Sequence, residues 1–188
     1  MVLGLARGGV VIAKEIGEKL SLRWDVLVVK KISGPGDPEL AIGAVAPDGI
    51  CVVDYLFAHR LGVDEAYLAE TIKERSEMVK QKMSLYRKGK LPLIVKDKMV
   101  IVVDDGAATG ESMTAAVKWL KEKQVKFIVV ALPVAPSDVV SKLQKEVDEC
   151  IVLATPSDFA SVGAFYEHFN QVEDREVVRL LQSDKSDK

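Results

Sequence analysis

Strand-length apolar runs alternate with stretches at helical spacing, and this predicts an α/β fold: a doubly wound, mostly parallel sheet. Three observations carry the prediction. Residues 100–103 are a short all-apolar run, VIVV, which reads as a buried strand and is too short for a core helix. Met113, Ala116, Val117 and Leu120 then recur at helical spacing. The same strand, turn and helix order repeats along the chain, with small-residue turns at the strand ends, where such sheets bind ligands.

At 188 residues the chain fits one α/β core. Val2, Leu3 and Leu5 open it as a strand, and residues 4–9, GLARGG, form the turn into a helix over 10–20. Residues 24–29 form the next strand. Residues 30–48 read as a Gly/Pro-rich loop around GPGDP, with a short strand at 41–45. A long polar helix is predicted over 64–88, with Asp64 as its N-cap. Residues 89–98 are a linker. After the strand at 100–103 and its helix come a strand at 126–132, a helix at 137–146 capped by Ser137, and a last strand at 150–154. Residues 155–169 concentrate aromatics: Phe159, Phe165, Tyr166 and Phe169. The domain is read as 1–182, and the polar tail 183–188 is expected to be disordered.

Composition removes several classes of function. A formal charge of −2 and a pI near 5.8 argue against a general nucleic-acid binder, which carries a basic face. Cys51 and Cys150 lie far apart with no CxxC spacing and read as reduced thiols. His59 and His168 have no partner at ligand spacing, so no protein-built metal site is expected. The longest apolar run, 127–135, is too short to span a bilayer, and no signal-peptide pattern opens the chain. No membrane partner is expected, and the cytoplasm is the default location.

The chemistry gathers at strand ends. Asp104 and Asp105 close the strand at 100–103, followed by Gly106, Ala107, Ala108, Thr109 and Gly110 at a helix start. Free N–H groups at a helix N-terminus suit a phosphate, and small side chains let it approach the backbone. Adjacent ionised carboxylates only accept hydrogen bonds, which suits the two hydroxyls of a ribose. Ala6, Arg7, Gly8 and Gly9 form a second turn suited to an anion, with Arg7 as a fixed cationic fork. Lys30 and Lys31 end another strand and could meet charge on a leaving group. Neither turn is a dinucleotide fingerprint. Nor is 106–112 a P-loop, since it has three residues between its glycines and Glu111 in the lysine position.

At these residues the chain resembles the type I phosphoribosyltransferases, whose signature is an apolar strand, two acids and a small loop ending in Thr-Gly. The resemblance implies their fold, with a small hood and cover. It implies binding of phosphoribosyl pyrophosphate (PRPP) as a Mg²⁺ complex, and transfer of the 5-phosphoribosyl group to a nitrogenous base or amine with release of pyrophosphate. Asp104 and Asp105 would hold the ribose hydroxyls and 106–110 the 5′-phosphate. Ala6, Arg7, Gly8, Gly9, Lys30 and Lys31 would hold pyrophosphate, with Arg7, Lys31 and the two aspartates central to catalysis. Residues 33–48 would be a mobile loop closing over the site. Residues 155–170 would be the hood, with Phe159 stacking on the base, Phe165 and Phe169 packing in the core, and 64–88 a cover.

The family usually has a helical segment ahead of its first strand. Here none is seen: either the protein is shortened there or its true start lies upstream, and in the first case the sheet is expected to be partly uncovered and masked by another subunit of a homo-oligomer. The 6-oxopurine enzymes carry an acid where Ala108 stands, and a lysine absent from LPVAP at 132–136. The chain is most similar to a group sharing GLxRGGV, PELAIGAV and VDDGxATG, whose acceptor the resemblance does not name. The alternative is a PRPP- or nucleotide-binding regulator without turnover.

Overall fold

The structure, a computed structural model, describes residues 1–183. Strand β1 (Val2–Leu5) leads through α1 (Gly9–Leu20) into β2 (Trp24–Leu27). Three further strands follow, β3 (Lys30–Gly34), β4 (Asp37–Val45) and β5 (Cys51–Val53), then α2 (Tyr55–Arg60) and α3 (Glu65–Tyr86). Alternation resumes with β6 (Met99–Val103), α4 (Glu111–Glu122), β7 (Phe127–Val134), α5 (Ser137–Gln144) and β8 (Glu149–Ala154), and α6 (Asp174–Ser183) follows.

The main sheet has five strands in the order β2-β1-β6-β7-β8, all parallel. Alternate residues of β1 serve opposite faces. Val2 packs with Val10, Ala13, Trp24, Val177 and Leu181, under α1 and α6. Leu3 and Leu5 pack with Val102, Met113, Leu120, Val130, Val139 and Leu143, under α4 and α5. Burial on both faces explains why these strands read as continuous apolar runs. Strand order reverses between β1 and β6, and this is the point at which such sheets form a crevice at the carboxyl ends. β8 is the outer strand, with Ile151 44% and Leu153 81% exposed.

The region 30–48 is not the loop expected. β3 and β4 pair antiparallel as a hairpin, and β5 adds a third strand. Pro35 and Gly36 make the turn, Gly36 at φ +82°, an arrangement suited to a type II turn. Ile32, Ile42 and Val45 bury themselves with Ala58 and Leu68, so a small core holds the hairpin against α2 and α3. Two further helices were not read from sequence. Asp54 caps α2 by accepting from the Phe57 N–H at 2.8 Å. α6 buries Val177 and Leu181, one turn apart.

Asp64 does cap α3, accepting from the Tyr67 N–H at 2.6 Å. Ser137 is not a cap: it is the first residue of α5, and Pro136 precedes it in the cap position without a side-chain bond. The far end of α3 is tied to the sheet by Arg87, whose Nε and Nη2 donate to the buried Asp25 carboxylate at 3.0 and 2.9 Å. Ser183 closes α6, and the rest of the expected tail, 184–188, lies outside the described residues. Among the described residues no helix is long and apolar enough to cross a membrane.

Candidate functional site

The register Gly4↔Val103 sets the loops after β1 and β6 side by side. A Cβ on Gly8 would sit 1.9 Å from Asp105 Oδ2, so only glycine lets the first loop pass the second. Within the first loop the Ala6–Arg7 peptide is cis. The second loop ends at Gly110, whose φ of +82° turns the chain into α4 with no side chain capping the helix. The first N–H groups of α4 therefore face the loop unclaimed by a cap, a setting that favours an anion.

A cleft of about 780 Å³ opens over these loops. It is lined by Ala6, Arg7, Gly8, Lys30, Lys31, Asp104, Asp105, Gly106, Ala107, Ala108, Thr109 and Gly110. Of the residues singled out from sequence, Gly9 lies just behind this wall, where a Cβ would meet the Val103 carbonyl oxygen at 2.6 Å. Lys30, Lys31 and Ser33 reach the cleft from the base of the hairpin that replaces the expected loop.

The electrostatics are divided between two walls. Asp104 and Asp105 stand half-buried at the end of β6. Burial, and then the neighbouring Asp105 charge, raise the Asp104 carboxyl well above the usual range, against hydrogen bonds from the Asp105 and Gly9 N–H groups. The first of these spans 2.9 Å. Burial raises Asp105 as well. Arg7, Lys30, Lys31 and Arg75 form a cationic wall of the same cleft. Lys30 is held below its ordinary range by burial, then by Lys82 and Arg7. Arg7 lies 3.8 Å from Asp174 at the start of α6. Asp174 also pairs with Lys82 and accepts from the Tyr86 hydroxyl at 2.6 Å. Those two hydrogen bonds, Lys82 first, hold the Asp174 carboxyl below its usual range.

The segment 155–170 covers one end of the cleft, but not through Phe159. Phe159 stacks on Phe165, ring centroids 5.4 Å apart, and does not line the cleft. Ser161, Val162, Gly163 and Phe169 line it instead. Phe165 and Phe169 are 41% and 49% exposed, so neither packs in the core. The Tyr166 hydroxyl donates to the Asp105 carbonyl at 2.6 Å and ties this segment to the acidic loop. The aromatic cluster pointed to the segment. It could not rank members of a mostly irregular stretch, where no periodicity separates inward from outward positions. Arg75, which lines the cleft, and the Lys82–Asp174 pair beside Arg7 left no such trace, because apolar periodicity is silent about where polar residues face.

A model of the phosphoribosyl transferase domain matches residues 1–165. Proteins from two strains of Mycobacterium tuberculosis, provisionally named phosphoribosyl transferases, are each 35% identical over 181 residues, 96% of this chain. The chain spans 41% of the length of these curated relatives. The crystal structure of TT1426 from Thermus thermophilus is 38% identical, with a TM-score of 0.78 over 96% of this chain and 85% of that one.

Proposed function

The chain belongs to the phosphoribosyl transferase family, and on that premise we propose that it transfers the 5-phosphoribosyl group of PRPP to a nitrogen acceptor and releases pyrophosphate. One observation supports this above the others. A pair of crowded carboxylates, an uncapped helix start and a cationic wall share one cleft at the switch point of the sheet.

Each part has a task in the reaction. Asp104 and Asp105 accept hydrogen bonds from the ribose 2′- and 3′-hydroxyls. Residues 106–110 and the start of α4 receive the 5′-phosphate. Arg7, the Gly8–Gly9 backbone, Lys30 and Lys31 draw the pyrophosphate. The bond from C1′ to the pyrophosphate oxygen breaks and its electron pair leaves with pyrophosphate. The ribose gains oxocarbenium character, a nitrogen lone pair closes on C1′, and the proton that nitrogen sheds passes to the departing pyrophosphate or to water. Positioning and fixed charge supply the rate, with no protein nucleophile.

Mg²⁺ bound with PRPP would neutralise pyrophosphate charge. Among the described residues no three His, Cys, Asp or Glu form a group able to hold a metal, so substrate oxygens and water would supply most of its ligands. Asp104 and Asp105 fit that complex, since hydroxyl donors and a nearby dication would relieve two carboxylates whose ionisation burial resists. Ala108 lines the cleft and stands where the 6-oxopurine enzymes carry an acid, which speaks against a 6-oxopurine acceptor.

Asp104→Asn combined with Asp105→Asn is expected to abolish Mg–PRPP binding, measured by calorimetry, while the thermal transition persists. Unchanged affinity removes the ribose assignment. Pyrophosphate release across a panel of bases and amines tests turnover, and none with any acceptor would favour a binding protein over an enzyme.

A further inference from the structure

Arg75 lies on α3, the long helix that the sequence presents only as a polar cover. Its side chain nonetheless lines the cleft together with Arg7, Lys30 and Lys31. Its Nε is buried and has no hydrogen-bond partner. Its Nη1 touches only weak company: the Met78 sulfur at 3.2 Å, a poor acceptor, and the outward-facing Glu74 carboxylate at 3.7 Å. Buried donors in folded proteins are as a rule satisfied, so this guanidinium stands ready for a partner that the polypeptide does not supply.

We infer that Arg75 binds a phosphoryl group at the pyrophosphate end of PRPP, so that the cover helix contributes directly to the substrate site. The inference rests on the phosphoribosyl reading of the cleft and assigns this residue within it. Turned toward the cleft it lines, a planar guanidinium offers two donors that match two oxygens of one phosphoryl group, which an ammonium does not. The surrounding charge sets which end of PRPP it meets. Arg75 acts on Lys30 alongside Lys82 and Arg7, and the balancing carboxylate in that group is Asp174. Arg75 therefore belongs to the cationic wall of the cleft. That wall carries more positive charge than Asp174 offsets, as a multiply charged diphosphate requires.

The test compares the wild type with Arg75→Ala, Arg75→Gln and Arg75→Lys by calorimetry against Mg–PRPP, Mg–pyrophosphate and ribose 5-phosphate. Arg75→Ala and Arg75→Gln should weaken pyrophosphate and PRPP binding about tenfold or more, the scale of one charge-assisted hydrogen bond. Ribose 5-phosphate affinity should stay unchanged, which also shows that the fold is intact. Arg75→Lys should fall between, since it keeps the charge and loses the fork. If the wild type binds all three ligands and Arg75→Ala matches it, the Arg75 assignment is overturned and the cleft reading stands. If Arg75→Ala weakens ribose 5-phosphate equally, its role is structural and the assignment also fails. A wild type that binds neither PRPP nor ribose 5-phosphate overturns both.

Discussion

Gly8 and Asp105 compete for the same few ångströms. A methyl group at position 8 would overlap the Asp105 carboxylate, 1.9 Å from Oδ2 and 2.7 Å from Cγ, so the carboxylate must turn away from its place. Gly8→Ala is therefore expected to fold and to lose about tenfold to a hundredfold in Mg–PRPP affinity, the range for a binding group displaced by about an ångström. Titration calorimetry checks it. The neighbouring acid makes a different prediction. Burial and Asp105 raise the Asp104 carboxyl above its unfolded value. The folded state then holds that proton longer than the unfolded chain does. Stability is lost as pH rises from the unfolded value, about 4, through the folded one. Asp104→Asn removes this loss, so it should melt higher than the wild type at pH 7, with the gap closing as pH falls toward about 4. Melting curves across that range decide it; a variant less stable at pH 7 would contradict the origin assigned to the shift. At this scale the sequence was most informative where chemistry and backbone share the same residues. Asp104, Asp105 and the glycine turns announce themselves because few other residue types fit there. Phe169, by contrast, is one of several aromatics in an irregular stretch, and only the folded chain shows which one meets the cleft.

Among the elements, α3 holds two positions at once. Its side chains reach the cleft at Arg75, and its end is fastened to β2 through Arg87 and Asp25. Arg87 also donates to the Leu91 carbonyl at 2.7 Å, so one guanidinium secures both the helix end and the linker beyond it. Asp25 is 6% exposed, and removal of its partner leaves a buried charge unpaired. Arg87→Ala should cost about 3 kcal/mol in urea unfolding. A loss near that of a surface ion pair would mean that water reaches Asp25. The parallel strands were legible because burial on both faces makes each a short apolar block. The β3–β4 hairpin was not. Its inward residues Ile32 and Ile42 are separated by a turn rich in Gly and Pro, and those residues dominate a local reading. α2 escaped because it is six residues long and buries only Ala58; α6, in contrast, does carry an apolar stripe at helical spacing, Val177, Val178, Leu180 and Leu181.

For the molecule as a whole, the decisive fact is the strand order β2-β1-β6-β7-β8. It brings the turn after residue 5 against the turn after residue 103, close in space though nearly a hundred positions apart along the chain. Alternation along the sequence implied such a sheet, since parallel strands need crossovers. The order itself is written in no local pattern. The same order leaves β8 at the rim, with its outer peptide groups unpaired by any described strand and Leu153 81% exposed. A rim of this kind is a seam onto which a stray extended chain can zip as an additional strand, most readily during refolding at high concentration. Leu153→Lys should suppress turbidity during refolding and leave Mg–PRPP affinity untouched, because the seam lies at the far side of the sheet from β1.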